Sequence, residues 1–305
     1  MAYSLRDKVV LITGAAGGIG AATARALYAR GALLVLTDVS YEAVAELAQQ
    51  FAETRVLPLA LDVTDIKATQ QVVEQAVTRF GRLDCVMANA GIAWRDEPAT
   101  VAGCHVDEFE HIMTVDTLGV WRTVKACLPE VIRHQGQVLV VSSIYAMING
   151  MANAPYAASK AAVESLARTL RVELAYTGAS ASVIYPGWTA TPIIDVAFGG
   201  SHIGTAMNMA ALPGFLRQPI APETLAKEIV KGMEKRKPHI VAPKRWLPFF
   251  WLRGVVNPAT DWMLSRHQKL QSLIAELDRL TIANVKQLDI ERRRRATKNK
   301  TEKKS

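Results

Sequence analysis

The stretch VVLITGAAGGIG, residues 9–20, joins an apolar run to a glycine-rich turn. The apolar run predicts a buried strand, and the residues after the turn have the spacing of a helix. A glycine-rich turn in this position lets the backbone approach a pyrophosphate closely and points helix N–H groups at the anion. We therefore predict a dinucleotide-binding turn, whose phosphate contacts come from Gly14, Gly18, Ile19 and Gly20. Glycines that merely turn the chain are the alternative.

The same alternation of strand and helix continues along residues 1–243. It is typical of a parallel sheet covered by helices on both faces. With right-handed crossovers, seven such strands form an α/β fold with a Rossmann-type doubly wound parallel sheet, which is the fold class we predict. The predicted strands are Val9–Thr13, Leu33–Thr37, Val56–Leu61, Cys85–Ala88, Val138–Ser142, Ser182–Tyr185 and His239–Val241, and the predicted helices cover 19–30, 41–52, 66–79, 108–133, 155–176 and 222–236.

Residues 244–305 differ in composition and are predicted to form a C-terminal helical extension of the catalytic body, 1–243. Segment 244–264 holds three of the six tryptophans, and apolar residues recur at helical spacing over 265–290. Residues 291–305 carry +6 of the formal net charge of +8, so the basic character belongs to the tail. The extension is expected either to contact an anionic membrane surface or to pack on the body or a partner subunit. Nucleic-acid binding is not expected, because no folded reader motif accompanies the tail.

Composition and cysteine usage indicate a globular protein of a reducing compartment. The 305 residues are 50% apolar and 21% charged, which excludes a disordered or fibrous chain. Cys85, Cys104 and Cys127 are an odd number without a CxxC pair, which argues against a disulfide framework or a structural metal. No apolar run approaches the roughly 18 residues of a spanning helix. We expect a cytoplasmic protein, peripheral at a membrane surface if the extension binds lipid.

A carboxylate, Asp38, follows the second predicted strand and stands 24 residues after Gly14. In this position it can accept hydrogen bonds from both ribose hydroxyls of a dinucleotide, and it would repel a 2′-phosphate. No lysine or arginine stands at residues 15–17 or 39–40 to offset that repulsion. The expected cofactor is therefore NAD, with NADP the less favoured alternative. A helix N-cap is the other role open to Asp38.

Tyr156 and Lys160 lie one helical turn apart on one predicted helix face. Because an ordinary tyrosine has a pKa of about 10, a phenol that transfers a proton at neutral pH needs positive charge nearby. The Lys160 ammonium and a cationic nicotinamide would together supply it. Ser143, just after the fifth predicted strand, can hydrogen-bond a substrate carbonyl or alcohol oxygen. Taken alone, Tyr156 and Lys160 could be a solvated surface pair without a catalytic role, and Ser143 could be an ordinary serine at the end of a strand.

In this order and spacing, the motifs resemble those of the short-chain dehydrogenase/reductase family over roughly residues 5–243. The resemblance implies that Tyr156 is the general acid/base, that Lys160 holds the nicotinamide ribose and lowers the Tyr156 pKa, and that Ser143 orients the substrate oxygen. The matching segments are TGAAGGIG at 13–20, Asp62 and Val63 beside the adenine, Asn89 and Gly91 along the cofactor cleft, Ser143, the Tyr156/Lys160 pair, and Pro186, Gly187 and Thr191 at the nicotinamide end.

The implied function is hydride transfer between NAD(H) and a small-molecule alcohol or ketone, by an enzyme that forms homo-oligomers as relatives often do. Two alternatives are a catalytically idle dinucleotide-binding scaffold or sensor, and an NADP-dependent carbonyl reductase. The complete Ser143, Tyr156 and Lys160 set favours the enzyme.

One position departs from the family pattern. Where the family usually has an asparagine that helps hold a proton-relay water, this chain has Asp116, in the sequence VDTLG. The added negative charge is expected to raise the pKa values of Lys160 and Tyr156 and to move the pH optimum upward. The alternative is that the relay tolerates the carboxylate with little change.

The resemblance implies that residues 192–219 form the flexible substrate lid of the family. They are apolar with few charges, and apolar loop residues generally cover something. The favoured interpretation is an apolar or lipid-like substrate, and the alternative is packing on the body or at a subunit contact. The residues concerned are Ile193, Ile194, Val196, Phe198, Ile203, Met207, Met209, Leu212, Phe215 and Leu216.

Overall fold

The central strand of the molecule, Val9–Thr13, is buried along its whole length. The computed structural model describes residues 3–94, 98–191, 201–283 and 285. Seven parallel strands form one sheet in the order β3-β2-β1-β4-β5-β6-β7, so the chain extends the sheet from β1 first in one direction and then in the other. The strands are β1 (Val9–Thr13), β2 (Leu33–Asp38), β3 (Val56–Ala60), β4 (Cys85–Ala88), β5 (Gln137–Val141), β6 (Ser180–Pro186) and β7 (His239–Ala242).

Helices cover both faces of this sheet. Alternate β1 residues point to opposite faces, so Val9 and Leu11 join one buried cluster while Val10 and Ile12 join the other. The helices are α1 (Gly18–Tyr28), α2 (Tyr41–Ala48), α3 (Ile66–Phe80), α4 (Val106–Met113), α5 (Val120–Arg133), α6 (Ala154–Glu173), α7 (His202–Ala211), α8 (Gly214–Arg217), α9 (Pro222–Glu234), α10 (Leu247–Arg266) and α11, which covers 268–283.

The two helical layers follow from where each helix carries its apolar residues. Side chains of α3, α5 and α6 pack on one face of the sheet, and side chains of α1, α2 and α9 pack on the other. Local signals set the helix ends, as α3 illustrates. Asp65 caps α3 by accepting hydrogen bonds from two amides of the first turn of the helix, and Gly81, in the left-handed conformation with a φ of 76°, ends the helix.

The predicted fold class is confirmed, and the helix predicted over 108–133 is present as one continuous helix over 106–133. Its middle is a π-helical turn, Thr114–Gly119, between α4 and α5, which the sequence did not predict. Segment 244–264 was predicted only as aromatic and apolar, yet α10 continues through Pro248 and Pro258. Pro248 stands in the first turn, where a missing N–H costs little, and tertiary packing holds the rest.

The extension packs on the body. Trp246 is fully buried and Phe250 nearly so, and both belong to the same apolar cluster as the sheet. Arg253 donates to Glu164 on α6 at 2.6 Å, where the carboxylate is almost fully buried. The division into 1–243 and 244–305 stays a prediction, but the packing agrees with the expectation that the extension lies against the body.

Part of the predicted lid and the basic tail lie outside the described residues. These are 192–200, with Ile193, Ile194, Val196 and Phe198, and 286–305. Within the described chain, the rest of the lid segment forms α7 and α8, where Met207 and Leu216 are buried and Met209 and Phe215 are exposed. None of the helices in these ranges is long and apolar enough to cross a bilayer.

Candidate active site

The glycine turn between β1 and α1 is closely packed at Gly14, Gly18 and Gly20. Gly14 has a φ of 61°, and a Cβ there would lie 2.8 Å from the Cα of Ala90. A Cβ on Gly20 would lie 2.5 Å from the carbonyl oxygen of Gly14, and one on Gly18 would lie 2.6 Å from Thr191. Only glycine fits at these three positions. No side chain caps α1, so its first turn presents backbone N–H groups to an anion.

Asp38 is the last residue of β2 and its carboxylate reaches the glycine turn, where it accepts a hydrogen bond from the Ala16 amide at 3.2 Å. The alternative role as a helix cap is excluded, because Ser40 is the cap of α2 and accepts from the Ala43 amide at 3.2 Å. Asp38 is therefore placed beside the turn and is not needed to start the next helix.

Ser143, Tyr156 and Lys160 line one cleft of about 110 Å³. Ser143 lies just after β5 and its hydroxyl accepts from the Tyr145 amide at 3.2 Å. Tyr156 and Lys160 lie on α6, with the ammonium nitrogen 5.1 Å from the centre of the phenol ring. A hydrogen bond from Ser142 Oγ to the Lys160 carbonyl, at 2.7 Å, ties α6 to the end of β5.

Asp116 forms a buried ion pair with Lys160. The carboxylate lies on the π-helical turn, with one oxygen 3.0 Å from Lys160 Nζ and the other accepting from the Ile92 amide at 2.8 Å. Both side chains are almost completely buried. Gly91 lies against the pair, since a Cβ there would be 3.0 Å from Lys160 Nζ. The departure from the family pattern is therefore a charge placed in direct contact with the lysine. π-helical turns are often found at functional sites.

Burial and the charges of the ion pair together set the pKa values of Lys160 and Tyr156. Burial acts to lower the Lys160 pKa, but the negative charges of Asp116 and Tyr156 raise it overall. Burial raises the Tyr156 pKa, against the opposing ammonium of Lys160, and Asp116 raises it further. The increase from Asp116 and the decrease from Lys160 both agree in direction with the expectation, but burial outweighs the ammonium, so the Tyr156 pKa is raised overall.

The predicted cofactor residues do not all meet in the cleft. Asn89 donates to the carbonyls of Thr13 and Gly14 at 2.9 and 3.0 Å, which fixes β4 to the glycine turn. Asp62 is exposed and accepts from the Thr64 amide, and Val63 packs against Gly119. The predicted residues that line the cleft are Ile19, Asn89, Gly91, Ser143, Tyr156, Lys160, Pro186, Gly187 and Thr191, and those outside its lining are Gly14, Gly18, Gly20, Asp38, Asp62, Val63 and Asp116.

Sequence reasoning missed part of the lining. Tyr145 packs edge-on against Tyr156, with ring centres 5.9 Å apart, and similarly against Trp188 at 6.1 Å. Asn153 and Thr189 also line the cleft. The only indication of these four residues in the sequence is that each lies within three positions of a residue assigned to the site. Such proximity does not say which way a side chain points.

A second cavity adjoins the cleft, and Tyr145 lines both. We call it the α7/α10 chamber, because most of its wall comes from those two helices. The wall is largely apolar, and the extension contributes about a third of it. The lining residues are Tyr145, Ile148, Asn149, Met151, Ala152, Gly204, Met207, Asn208, Ala211, Leu212, Phe249, Val256, Asn257, Thr260, Met263 and Leu264.

Comparison with known proteins decides the family. Residues 8–198 match the family model described as short chain dehydrogenase. The chain belongs to the short-chain dehydrogenase/reductase family. The resemblance inferred from the motifs is thus confirmed, and the protein is an enzyme of the dehydrogenase/reductase class.

Several members of the family are similar over most of their length. The cis-4-hydroxycyclohexanecarboxylate dehydrogenase of Sinomonas cyclohexanicum is 33% identical over 240 residues, which cover 75% of this chain and 90% of that protein. The 3-oxoacyl-[acyl-carrier-protein] reductase FabG of Thermotoga maritima is 33% identical over 194 residues, covering 63% and 78%. These matches place the chain among alcohol and carbonyl oxidoreductases.

Solved structures of the family share the fold. A short-chain dehydrogenase/reductase from Burkholderia phymatum, in complex with NAD, has a TM-score of 0.72 and 22% identity, covering 83% of this chain and 94% of that one. A short chain dehydrogenase from Mycobacterium paratuberculosis, bound to NAD, has a TM-score of 0.67 and 26% identity, covering 78% and 96%.

Proposed function

We propose that this enzyme transfers a hydride between NAD(H) and an apolar alcohol or ketone. The observation that carries the proposal is the convergence of Ser143, Tyr156 and Lys160 on one cleft beside the glycine turn. A phenol, an ammonium and a hydroxyl at the end of a parallel strand are the groups that such a reaction needs from the protein. The same convergence argues against an idle scaffold, which would not need them together.

The residues present fit a dinucleotide. A side chain at Gly14, Gly18 or Gly20 would collide with neighbouring protein atoms, so glycine at these positions lets the backbone come close to a pyrophosphate. The first turn of α1 has no side-chain cap, so its N–H groups can bind that anion. Asp38 beside the turn supports NAD over NADP, because its carboxylate would repel a 2′-phosphate. The NAD-bound structures of relatives support the same choice. When bound, the nicotinamide supplies the hydride acceptor or donor.

Tyr156 is proposed as the general acid/base. In oxidation its phenolate accepts the proton of the substrate hydroxyl, and in reduction its phenol returns that proton to the oxygen. Ser143 donates to the same substrate oxygen and orients it. The Lys160 ammonium stabilises the phenolate, and Asp116 holds the ammonium by the 3.0 Å contact. Positive charge from the cofactor would add to that of Lys160 and offset the burial that raises the Tyr156 pKa.

The α7/α10 chamber supports an apolar substrate. It adjoins the cleft at Tyr145, and an alcohol bound at Ser143 could extend a hydrocarbon arm into it. Ligand sites are typically apolar with a few polar groups that fix orientation, which matches this wall. A relative named for a cyclohexane carboxylic acid bearing a hydroxyl group supports a cyclic or aliphatic alcohol.

Tyr156→Phe tests the catalytic assignment. Removing one hydroxyl should lower kcat/KM by about 1,000-fold, the scale of general acid/base catalysis, without altering the fold. The measurement is NAD reduction across a panel of alcohols, with circular dichroism and NAD binding as controls. An idle scaffold would bind NAD and turn over no alcohol in either form, and equal activity of the two forms would overturn the role of Tyr156.

Ala211→Phe tests the chamber. Ala211 lies at the end of α7 and lines the chamber, so a larger side chain would fill the space proposed for the substrate arm. We expect KM for long-chain alcohols to rise about tenfold, the effect of losing about two buried methylene groups, while short alcohols are unaffected. Met209→Phe is the matched control, since Met209 is exposed on the same helix. An equal effect on short and long alcohols would contradict the assignment.

We further propose that the enzyme acts as a homo-oligomer. Leu118, on the π-helical turn, and Trp121, in the first turn of α5, are each about half exposed and support a contact with a second copy. The sedimentation velocity of the native chain tests this, and a monomer at micromolar concentration would contradict it.

A further inference from the structure

The outward side of α10 is apolar along the whole helix. Its residues recur every three or four positions, so they form one continuous stripe. Trp251, Val255 and Trp262 are 72%, 75% and 62% exposed. We call this surface the α10 stripe. Its members are Pro248, Trp251, Leu252, Val255, Pro258, Ala259 and Trp262, all of them exposed.

The stripe is not the result of a loosely attached helix. The opposite side of α10 is anchored by the burial of Phe250 and Leu264 and by the ion pair of Arg253 with the almost fully buried Glu164. That anchoring fixes which side faces outward. The core lies on the inner side of α10 only, yet the outer side is apolar as well. Two exposed tryptophans with aliphatic neighbours form a continuous apolar patch, and such patches mark interaction sites.

Cations stand at both ends of the α10 stripe. Lys244 is exposed just before the helix, and Arg266 ends it, with its guanidinium 4.6 Å from the ring centre of Trp262. Lys269 follows on α11 and is also exposed. The one acidic residue within α10, Asp261, accepts a hydrogen bond from Asn149 of the body at 2.9 Å. Farther along the chain, residues 291–305 add a net charge of +6.

We propose that the α10 stripe docks the enzyme on an anionic lipid surface. Tryptophan and aliphatic residues would enter the boundary between headgroups and acyl chains, while Lys244, Arg266 and the basic tail would bind acidic headgroups. A second copy of this chain is a poorer occupant. A symmetric contact through the stripe would place the cations of one copy against those of the other, which is unfavourable unless anions intervene. The chamber lies on the inner side of α10, so docking would bring an apolar substrate reservoir beside it.

Vesicle co-sedimentation of the full chain tests the proposal. We expect binding to vesicles that contain phosphatidylserine, weaker binding to pure phosphatidylcholine, and a loss of binding as salt increases. Trp251→Glu/Trp262→Glu should weaken binding about 100-fold or more, because two tryptophans leave the interface and two acidic groups face the lipid. The matched control is Val172→Glu/Tyr176→Glu, since both residues are highly exposed at the end of α6 and outside α10.

Three results would overturn the proposal. These are the absence of binding by the parent chain to anionic vesicles, equal binding by parent and double variant, and an equal loss of binding in the α6 control. A dimer that dissociates in the double variant, with no vesicle binding, would assign the stripe to a second copy. Turnover of a water-soluble alcohol should be the same in all three proteins, so a failure of lipid binding is distinguishable from a failure of the proposed chemistry.

Discussion

The active-site pair and the α10 stripe depart from the usual partition of residues in opposite ways. Asp116 and Lys160 are charges in a nearly water-free interior, 3.0 Å apart. Trp251 and Trp262 are large apolar side chains in contact with solvent. Both arrangements are unfavourable in isolation, since a buried charge loses its hydration and exposed hydrocarbon orders or displaces water. The ion pair is satisfied within the protein, whereas the stripe is exposed to solvent and, on the proposal above, is covered by a lipid surface. The comparison thus sets groups proposed to serve chemistry against groups proposed to serve attachment.

Breaking the buried pair should have the largest effect. Lys160→Met leaves the Asp116 carboxylate buried with the Ile92 amide as its remaining hydrogen-bond donor among the contacts described. We expect the free energy of unfolding to fall by about 3–5 kcal/mol, the range for removing one member of a buried pair. Urea unfolding at neutral pH measures it.

The control for this prediction is the double variant Asp116→Asn/Lys160→Met. With both charges removed, it should recover a large part of the lost stability, because no unpaired charge remains. A Lys160→Met protein as stable as the parent would mean that the pair is neutral or solvated, and the contrast with the stripe would fail.

Separating α10 from the body should have a smaller effect. Arg253→Met removes the 2.6 Å hydrogen bond to Glu164, whose carboxylate is almost fully buried. We expect a loss of about 1.5–3 kcal/mol, the range for a hydrogen bond to a charged group, together with faster proteolysis within α10. Lys231→Met is the matched control, because its pair with Glu228 at 3.3 Å lies on the surface and should contribute less than about 0.5 kcal/mol. Equal effects of the two changes would show that α10 is held by apolar contacts alone.

The smallest expected effect is a shift of the pH profile in Asp116→Asn. The Asp116 charge raises the pKa values of Lys160 and Tyr156, so removing it lowers both. Oxidation needs the phenolate, and the rising limb of kcat against pH should therefore move to lower pH. Initial rates of alcohol oxidation across the pH range measure the shift, with Lys231→Met as an unshifted control. A profile that overlays the parent would support the alternative that the relay tolerates the carboxylate.

Prediction from the sequence succeeded for structural features that depend on residues close together in the chain. The glycine turn, the i and i+4 spacing of Tyr156 and Lys160, and the apolar strands are local patterns, and the fold class followed from them. The helix predicted over 108–133 is continuous in the structure, but its π-helical turn was not predicted, because residue periodicity does not register the extra residue of such a turn. The helix through Pro258 was missed because proline normally disfavours a helix interior, and tertiary packing overrode that preference.

The amino-acid sequence by itself determined the parallel sheet, the glycine-rich turn between β1 and α1, and the placement of Tyr156 and Lys160 one helical turn apart, because periodicity and short spacing encode them directly. Only the tertiary structure decided that Asp116 contacts Lys160, that Tyr145 lies between the cleft and the α7/α10 chamber, and that Trp251 and Trp262 face outward. These facts depend on how elements distant in the chain pack together. Residue spacing gives the relative directions of side chains on one helix, but the direction of the whole helix is set by the surface against which it packs.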